Sequence, residues 1–459
     1  EGPPPARRRR RALVVGGGLG GLAAARELRR QFRVTVVDAK EYFEFAPGIL
    51  RAFVEPRRWD SLTFLYKDVL EGAFGVGFIW GEVLAIDGDH REARVRPVFG
   101  GCEDVVPYDF CILAVGCGLG GLTAASDTPW LPRVRAGAGT SPGASSVDER
   151  FLEGRRRRVL EEHAALQELG QQQARVLVVG AGFLGVEWAC ELRHFVPGLR
   201  VTLCDFLPGC LGPLPQDAVS YCQEYMERHG IQTLYGVQYD PLSPQFQGFE
   251  RVYVLQGPRH SNHFMPESTL SDWGPSGGGW ILVNRYLQVV TRDCERWGHG
   301  LVFAAGDCSI GSAVAGRRGG DEAQRQATER RAMPKTGHSA EQQAIQACRN
   351  ACVLDRHWYG GPSWCCGCFP VPGCLGSRSL RPAWYHGGSS IFAVSMGPQD
   401  GCLVVGLLPH KRGSGRVISV GLLAAAQKEL IETTKLAHCQ GGARPGGGAG
   451  RAPPAASAV

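Results

Sequence analysis

No run of about 18 consecutive apolar residues occurs in the chain, so no transmembrane helix is expected. Charge of one sign is also scarce. The formal net charge is +6, and the run Arg7–Arg11 supplies most of it. Without an extended basic surface there is no case for nucleic acid, and residues 1–11 read as a solvated basic tail or the remnant of a targeting segment. A disulfide framework is missing too. The 17 cysteines are scattered through strand-like and helix-like segments, where Cys111, Cys190 and Cys204 read as small buried hydrophobes. The expectation is an intracellular, largely reduced protein, cytoplasmic or mitochondrial. What is present is ordinary for a globular protein: 44% hydrophobic and 20% charged residues, with room in 459 residues for two or three cores.

The most informative stretch is Ala12-Leu13-Val14-Val15 followed by Gly16-Gly17-Gly18-Leu19-Gly20-Gly21. Four apolar residues predict a buried parallel strand, and Leu22–Arg30 predicts a helix. Gly16, Gly18 and Gly21 carry the G-x-G-x-x-G spacing. The first lets the chain turn, the second lets backbone approach a pyrophosphate, and the third lets helix and strand pack closely. Arg33–Val37 reads as the next strand, ending at Asp38, which is placed to accept hydrogen bonds from a ribose. The pattern recurs. Strand Arg175–Val179 leads into Gly180, Gly182 and Gly185, then a helix through Phe195, then strand Arg200–Cys204 ending at Asp205. An acid there favours a free ribose 2′-hydroxyl, hence NADH over NADPH, unless Asp205 caps the next turn.

Between and after these units the pattern is looser. Glu41–Ala52, with aromatics beside Pro47-Gly48, suits either a loop packed on a planar ring or a plain hydrophobic loop. Phe78–Ile86 and Glu92–Val98 read as paired strands, and Asp109–Val115 as a buried strand closing on Gly116. Gly118–Arg150 reads as an irregular connection and Phe151–Leu169 as a helix. Within that helix Arg155–Arg158 reads as a charged face, with phosphate contact as the other reading. Residues 240–279 read as an irregular hairpin, Trp280–Asn284 and Leu301–Ala305 as strands, and Arg317–Thr336 as a mobile insertion. Ser339–Ala351 is expected to be helical, as is Leu422–Leu436. The 440–459 tail is expected to be disordered. The expected fold is α/β, with two Rossmann-like dinucleotide-binding domains, the second inserted in the first, and a small α+β C-terminal domain. The first domain would comprise 12–125 and 290–360, the second 150–289 and the third 361–439.

Two glycine-rich loops, the Ala114-Val115-Gly116 strand end and Phe303-Ala304-Ala305-Gly306-Asp307, in that order, resemble the two-dinucleotide-binding flavoproteins of the pyridine nucleotide-disulfide oxidoreductase superfamily. The resemblance spans 12 to about 350. It implies FAD at the first loop, NADH (NADPH being allowed) at the second, and Asp307 beside the flavin's ribityl and pyrophosphate portion. Tyr42–Leu50, Gly185–Leu192 and Ala340-Glu341-Gln342-Gln343-Ala344 are similar to segments of the type II NADH dehydrogenases. Leu50–Glu55 and Ser395–Gly401 look more like the ferroptosis-suppressor branch of the apoptosis-inducing-factor-like flavoproteins. Both branches imply hydride transfer from NADH to flavin and then reduction of a quinone-like acceptor. Glu187 would orient the nicotinamide, with the acceptor near Pro47, Gln342 and Gln343.

Departures from the superfamily narrow the chemistry. Disulfide reductases carry a redox cysteine pair beside the flavin, yet residues 40–60 hold no cysteine, and Cys204 and Cys210 fit neither usual spacing. His338 and Ser339 stand where the type II enzymes would carry Ala-Gln. The competing class is a non-catalytic flavin/NAD-binding scaffold, redox sensor or structural subunit; the intact motif glycines and strand-end acids favour turnover. Cys365, Cys366, Cys368 and Cys374 with His357 have zinc-ligand character, but lacking a second C-x-x-C they also read as a Cys-rich loop, and no metal is assigned. The 422–436 helix carries Leu422, Leu423, Ala426, Leu430 and Thr433 on one side. That side suits either packing on the protein's own core or peripheral membrane contact. A homodimer is compatible with the pattern.

Overall fold

The computed structural model of the protein describes residues 9–100, 102–119, 148–312, 335–359, 380, 391–406, 413 and 415–441. Most of the expected insertion at Arg317–Thr336, the four cysteines from Cys365 to Cys374 and nearly all of the tail lie outside them.

The first sheet is built around β1 (Arg11–Val15), whose Ala12–Val15 are all buried. After the glycine turn comes α1 (Leu19–Leu28), and then β2 (Arg33–Asp38), which pairs parallel to β1 with Val14 opposite Val36. A short helix α2 (Ile49–Val54) precedes β3 (Gly77–Asp87), β4 (Glu92–Pro97), β5 (Asp104–Pro107) and β6 (Phe110–Leu113). Strands β3 to β5 form an antiparallel edge, while β6 pairs parallel on the other side of β1. Continuous apolar runs at β1 and β6 are what a strand buried on both faces requires.

Helix α3 (Leu152–Gln171) leads into the second sheet. Strand β7 (Arg175–Val179), α4 (Phe183–Phe195), β8 (Arg200–Asp205), α5 (Gln216–Arg228), β9 (Gln232–Tyr235) and β10 (Arg251–Val254) form a parallel sheet in the order β9-β8-β7-β10. Strand β11 (Val302–Ala304) returns to the first sheet beside β6, giving the order β11-β6-β1-β2-β3-β4-β5. Helix α6 (Gly337–Tyr359) then packs along α1. The chain closes with an antiparallel sheet of β12 (Ile391–Ser395), β13 (Gly401–Val405) and β14 (Arg416–Val420), backed by α7 (Leu422–Cys439). The protein is therefore α/β with two Rossmann-type units.

Two sequence expectations are corrected. Residues 240–279 are not merely an irregular hairpin, because Arg251–Val254 pairs parallel to β7 as an integral strand. Four residues of mixed polarity carry too little periodicity to reveal a strand whose partner lies some 75 positions earlier. The Arg155–Arg158 cluster is not one solvated face. Arg156 and Arg157 are exposed, but Arg155 is fully buried, pairing with Glu44 and Glu149 at 2.8 Å each. A buried guanidinium is tolerated when carboxylates on two sides satisfy it.

Candidate functional site

The two glycine turns have the same construction. Gly16 and Gly180 adopt φ of +95° and +109°, a conformation that favours glycine. A Cβ on Gly21 would stand 1.8 Å from the Gly16 carbonyl oxygen, and one on Gly185 1.7 Å from that of Gly180, so helix and strand touch there. Among the described residues Gly18 and Gly182 have no neighbour within 4 Å of the position a Cβ would take, which leaves room for a ligand at each helix N-terminus. The strand-end acids hold the turns. Asp38 accepts from Gly17 N–H at 2.7 Å and Lys40 N–H at 2.8 Å; Asp205 accepts from Ala181 N–H at 2.6 Å and Leu207 N–H at 2.8 Å. Asp205 therefore does brace the following turn, the alternative its position left open.

Beside the first turn, Ala114 hydrogen bonds to Val15 while its carbonyl abuts Gly16, and Gly116 follows with φ +69°. The Gly306-Asp307 step sits against the start of α6: a Cβ on Gly306 would meet Ala340 Cβ at 2.8 Å. Gly306 N–H donates to Gln343 Oε1 at 2.8 Å, and Lys335 Nζ donates to the Asp307 carbonyl at 2.7 Å. Asp307 Oδ1 is shielded from solvent with no donor among the described residues. Burial pushes this carboxyl up to about 6, against the pull of Lys335. An unsatisfied carboxylate oxygen beside an open glycine turn is what a hydroxyl-bearing cofactor would satisfy, so these residues fit a dinucleotide.

A second group forms where α2, α4, β12 and α7 meet. Glu187 Oε1 accepts from Lys428 Nζ at 2.5 Å and from Ser395 N–H at 2.9 Å. One helical turn on, Glu191 Oε1 accepts from Arg51 Nη2 at 2.6 Å, while Ser395 Oγ lies 3.4 Å away. Burial raises the Glu191 carboxyl, with Arg51 opposing, and burial also lowers His194 nearby. Pro47, Arg51, Glu187, Glu191, Ser395 and Lys428 line one small cavity. The structure thus brings Pro47 and Glu187 together. Gln343 instead faces inward onto Gly306, and Gln342 is exposed on the other side of α6. Arg51, Glu191 and Lys428 carried no assigned role in the sequence. Only the i, i+4 spacing of Glu187 and Glu191 hinted at a charged pair on one helix face.

With that geometry in view, the family profile described as pyridine nucleotide-disulphide oxidoreductase matches residues 10–256. The chain belongs to this family and is an oxidoreductase of it. It is 24% identical over 316 residues to a type II NADH:quinone oxidoreductase of Staphylococcus epidermidis, covering 63% of this chain and 72% of that protein. Among solved structures it resembles the sulfide:quinone oxidoreductase of Aquifex aeolicus (TM-score 0.63, 16% identity, 95% of this chain and 93% of that one). It also resembles NDH2 from Plasmodium falciparum in complex with NADH (TM-score 0.60, 11% identity, 94% and 98%). Such likenesses concern the fold.

Proposed function

We propose that the protein is a flavin-dependent NADH dehydrogenase that reduces a quinone-like acceptor rather than a disulfide. The observation that carries this reading is the Glu187–Lys428 and Arg51–Glu191 cluster at the cavity beside Pro47, where both glycine-turn units and the C-terminal sheet converge. FAD would be held by Gly16, Gly18, Gly21, Asp38, Ala114, Gly116, Gly306 and Asp307, and would supply two-electron chemistry between a nicotinamide and an acceptor. NADH, with NADPH allowed, would be held by Gly180, Gly182 and Gly185, the turn being braced by Asp205. This division assigns 12–125 with 290–360 to the FAD domain, 150–289 to the NADH domain and 361–439 to the C-terminal domain.

The chain's own groups do the positioning. Glu187 orients the nicotinamide end, held in place by Ser395 N–H and Lys428. Lys428 also presents an ammonium able to donate to a quinone carbonyl. Pro47 walls the cavity, Gln343 anchors Gly306, and Gln342 stands at the outer face of α6. The absence of cysteine from 40–60 and the burial of Cys204 and Cys210 support a non-disulfide acceptor.

No helix among the described residues is long and apolar enough to cross a membrane. Leu422, Leu423 and Leu430 on α7 are 68%, 61% and 67% exposed, which supports peripheral contact with a bilayer where a quinone would reside. Replacing all three with serine is expected to abolish liposome binding and leave turnover with a water-soluble quinone unchanged.

The central test is an anaerobic titration of FAD-loaded protein with NADH, then a water-soluble quinone, following visible absorption. Bleaching by NADH and recovery with quinone is the expected result. Bleaching without recovery would eliminate quinone as acceptor. No bleaching with either coenzyme would leave a scaffold or sensor.

A further inference from the structure

The run Arg9-Arg10-Arg11 is not one solvated tail. Side chains alternate on the way into β1, and Arg10 forms an ion pair with the buried Asp355. Arg9 and Arg11 instead meet Arg29, at the C-terminal end of α1, and Arg33, the first residue of β2. The four guanidinium groups line one cavity of about 440 Å³, within the roughly 300–1,000 Å³ of small-molecule sites.

No carboxylate is among the described residues that line this cavity. Arg11 Nε stands 3.5 Å from Asp109 Oδ2, a loose ion pair. Arg9 Nη1 donates to the Arg29 carbonyl at 3.4 Å, and Arg29 Nη1 to the Ala73 carbonyl at 3.1 Å. Arg29 Cζ also lies 4.8 Å from the centre of the Phe74 ring, which holds that fork in place. Arg33 is exposed and has no side-chain partner among the described residues. A guanidinium carries five N–H donors and stays charged at any ordinary pH, so most of these donors are left for solvent or a ligand. The cavity floor adds to them. Half-buried Thr35 pairs with Gly77 of β3, where no side chain stands opposite its hydroxyl. Gly75, with φ +66°, has no described atom within 4 Å of the position a Cβ would take.

We infer that this cavity binds a small oligophosphate, a molecule carrying two or three linked phosphate groups. Planar guanidinium forks match phosphate oxygens two at a time. Four guanidiniums against the single carboxylate of Asp109 leave three positive charges unmatched, which calls for more than one phosphate group. Phe32 is the one aromatic residue among those lining the cavity, and it is buried, so no open ring is offered to a base. Recognition therefore rests on phosphates and not on a nucleoside. The site is separate from both glycine turns. Arg11 begins β1 and Gly16 follows its far end, so the strand holds the two roughly 16 Å apart. A free oligophosphate and the headgroup of a phosphorylated inositol lipid present this same chemistry.

The test is isothermal titration of the full chain with sodium tripolyphosphate, with FAD and NAD⁺ in excess to fill both glycine turns. Saturable one-to-one binding that weakens as salt is raised is the expected result. Arg9→Glu combined with Arg33→Glu should weaken it about a hundredfold, or about tenfold for each guanidinium lost. Both positions are exposed, so the folded state and flavin content should survive. Arg33→Glu alone should cost about tenfold, which keeps the test decisive if the double variant does not fold. Arg157→Glu, the same charge reversal at an exposed position of α3, should change affinity less than about twofold. Because the substitutions locate the site, the answer does not depend on the dehydrogenase reading. Phosphatidylcholine vesicles with and without phosphatidylinositol bisphosphate separate the two sources. Selective binding to that lipid, displaced by tripolyphosphate, assigns the headgroup; no selective binding assigns a free oligophosphate. Absence of tripolyphosphate binding, undiminished binding after Arg33→Glu, or an equal loss in Arg157→Glu would overturn the proposal.

Discussion

In both glycine turns the third glycine packs on the first, and an acid at the end of the second strand braces the loop from below. Their surroundings differ. The first turn is closed in by segments distant in sequence: Tyr66 presses on Gly17, Ala340 approaches both Gly20 and Gly306, and Lys335 lies on the Asp307 backbone. The second turn also has remote neighbours, Leu255 on Gly180 and Phe392 stacked on Phe183, but part of its border is local chain. Leu211 N–H donates to the Ala181 carbonyl, and neighbouring Phe206 is 54% exposed. A loop enclosed by remote segments suits a cofactor that stays, and a loop bordered by a short turn suits one that exchanges. The same supersecondary unit thus serves two roles according to what the rest of the chain lays over it.

The strongest test of this comparison is the join between the units. Arg155, on the helix entering the second unit, neutralises Glu44 of the first and Glu149. Arg155→Met leaves two carboxylates buried without a cation, and is expected to cost about 3–5 kcal/mol in denaturant unfolding. The exposed Arg156→Met should change stability by less than about 0.5 kcal/mol. Next come the packed glycines. Gly21→Ala and Gly185→Ala each force helix from strand and are expected to cost about 3 kcal/mol. Gly21→Ala should also lose bound flavin, whereas Gly185→Ala should retain flavin and fail to bleach with NADH. If both variants lost flavin alike, the division between a resident and an exchanging site would be wrong.

Smaller effects separate the acids. Asp205→Ala should raise KM for NADH about tenfold, or ~1.4 kcal/mol, with flavin content unchanged. Asp38→Ala should weaken flavin retention and leave that KM alone; a crossed result would exchange the two assignments. The smallest effect is a pH dependence. Asp307 is pushed by burial up to about 6 from an ordinary 3.8, with Lys335, Cys117 and Cys308 as its charged or titratable neighbours. A folded-state value above the unfolded one means the fold prefers the neutral acid. Its contribution to stability is full below the unfolded value and is lost as pH rises through about 6. The thermal midpoint of flavin-free protein should therefore fall between roughly pH 4 and 6 and level off above. Asp307→Asn should flatten that slope.

Legibility in the sequence followed locality. The strand, turn, helix, strand and acid of each unit fall within about 30 residues, and every step has its own pattern, so both turns and the acids at their strand ends could be located directly, though not that Asp38 holds Gly17 N–H. Strand β10 could not, because its four residues become a strand only by pairing with β7. Arg155 looked like its neighbours Arg156 and Arg157, and only the approach of Glu44 and Glu149 sets it apart. Lys428 carries no pattern that singles it out on α7, and only the packing of α7 on the C-terminal sheet brings it to Glu187.

By itself the sequence determined the two glycine-rich turns, their order, the Gly306-Asp307 step and the α/β class. Each of these rests on short-range backbone geometry and hydrophobic period, which the residues carry with them. The tertiary structure alone decided which carboxylates are neutralised, which glutamine faces Gly306, and that Arg51, Glu187, Glu191, Ser395 and Lys428 share one cavity. Those depend on segments hundreds of residues apart being packed together, and charge, burial and contact are properties of the packed arrangement, with no trace in any single stretch of chain.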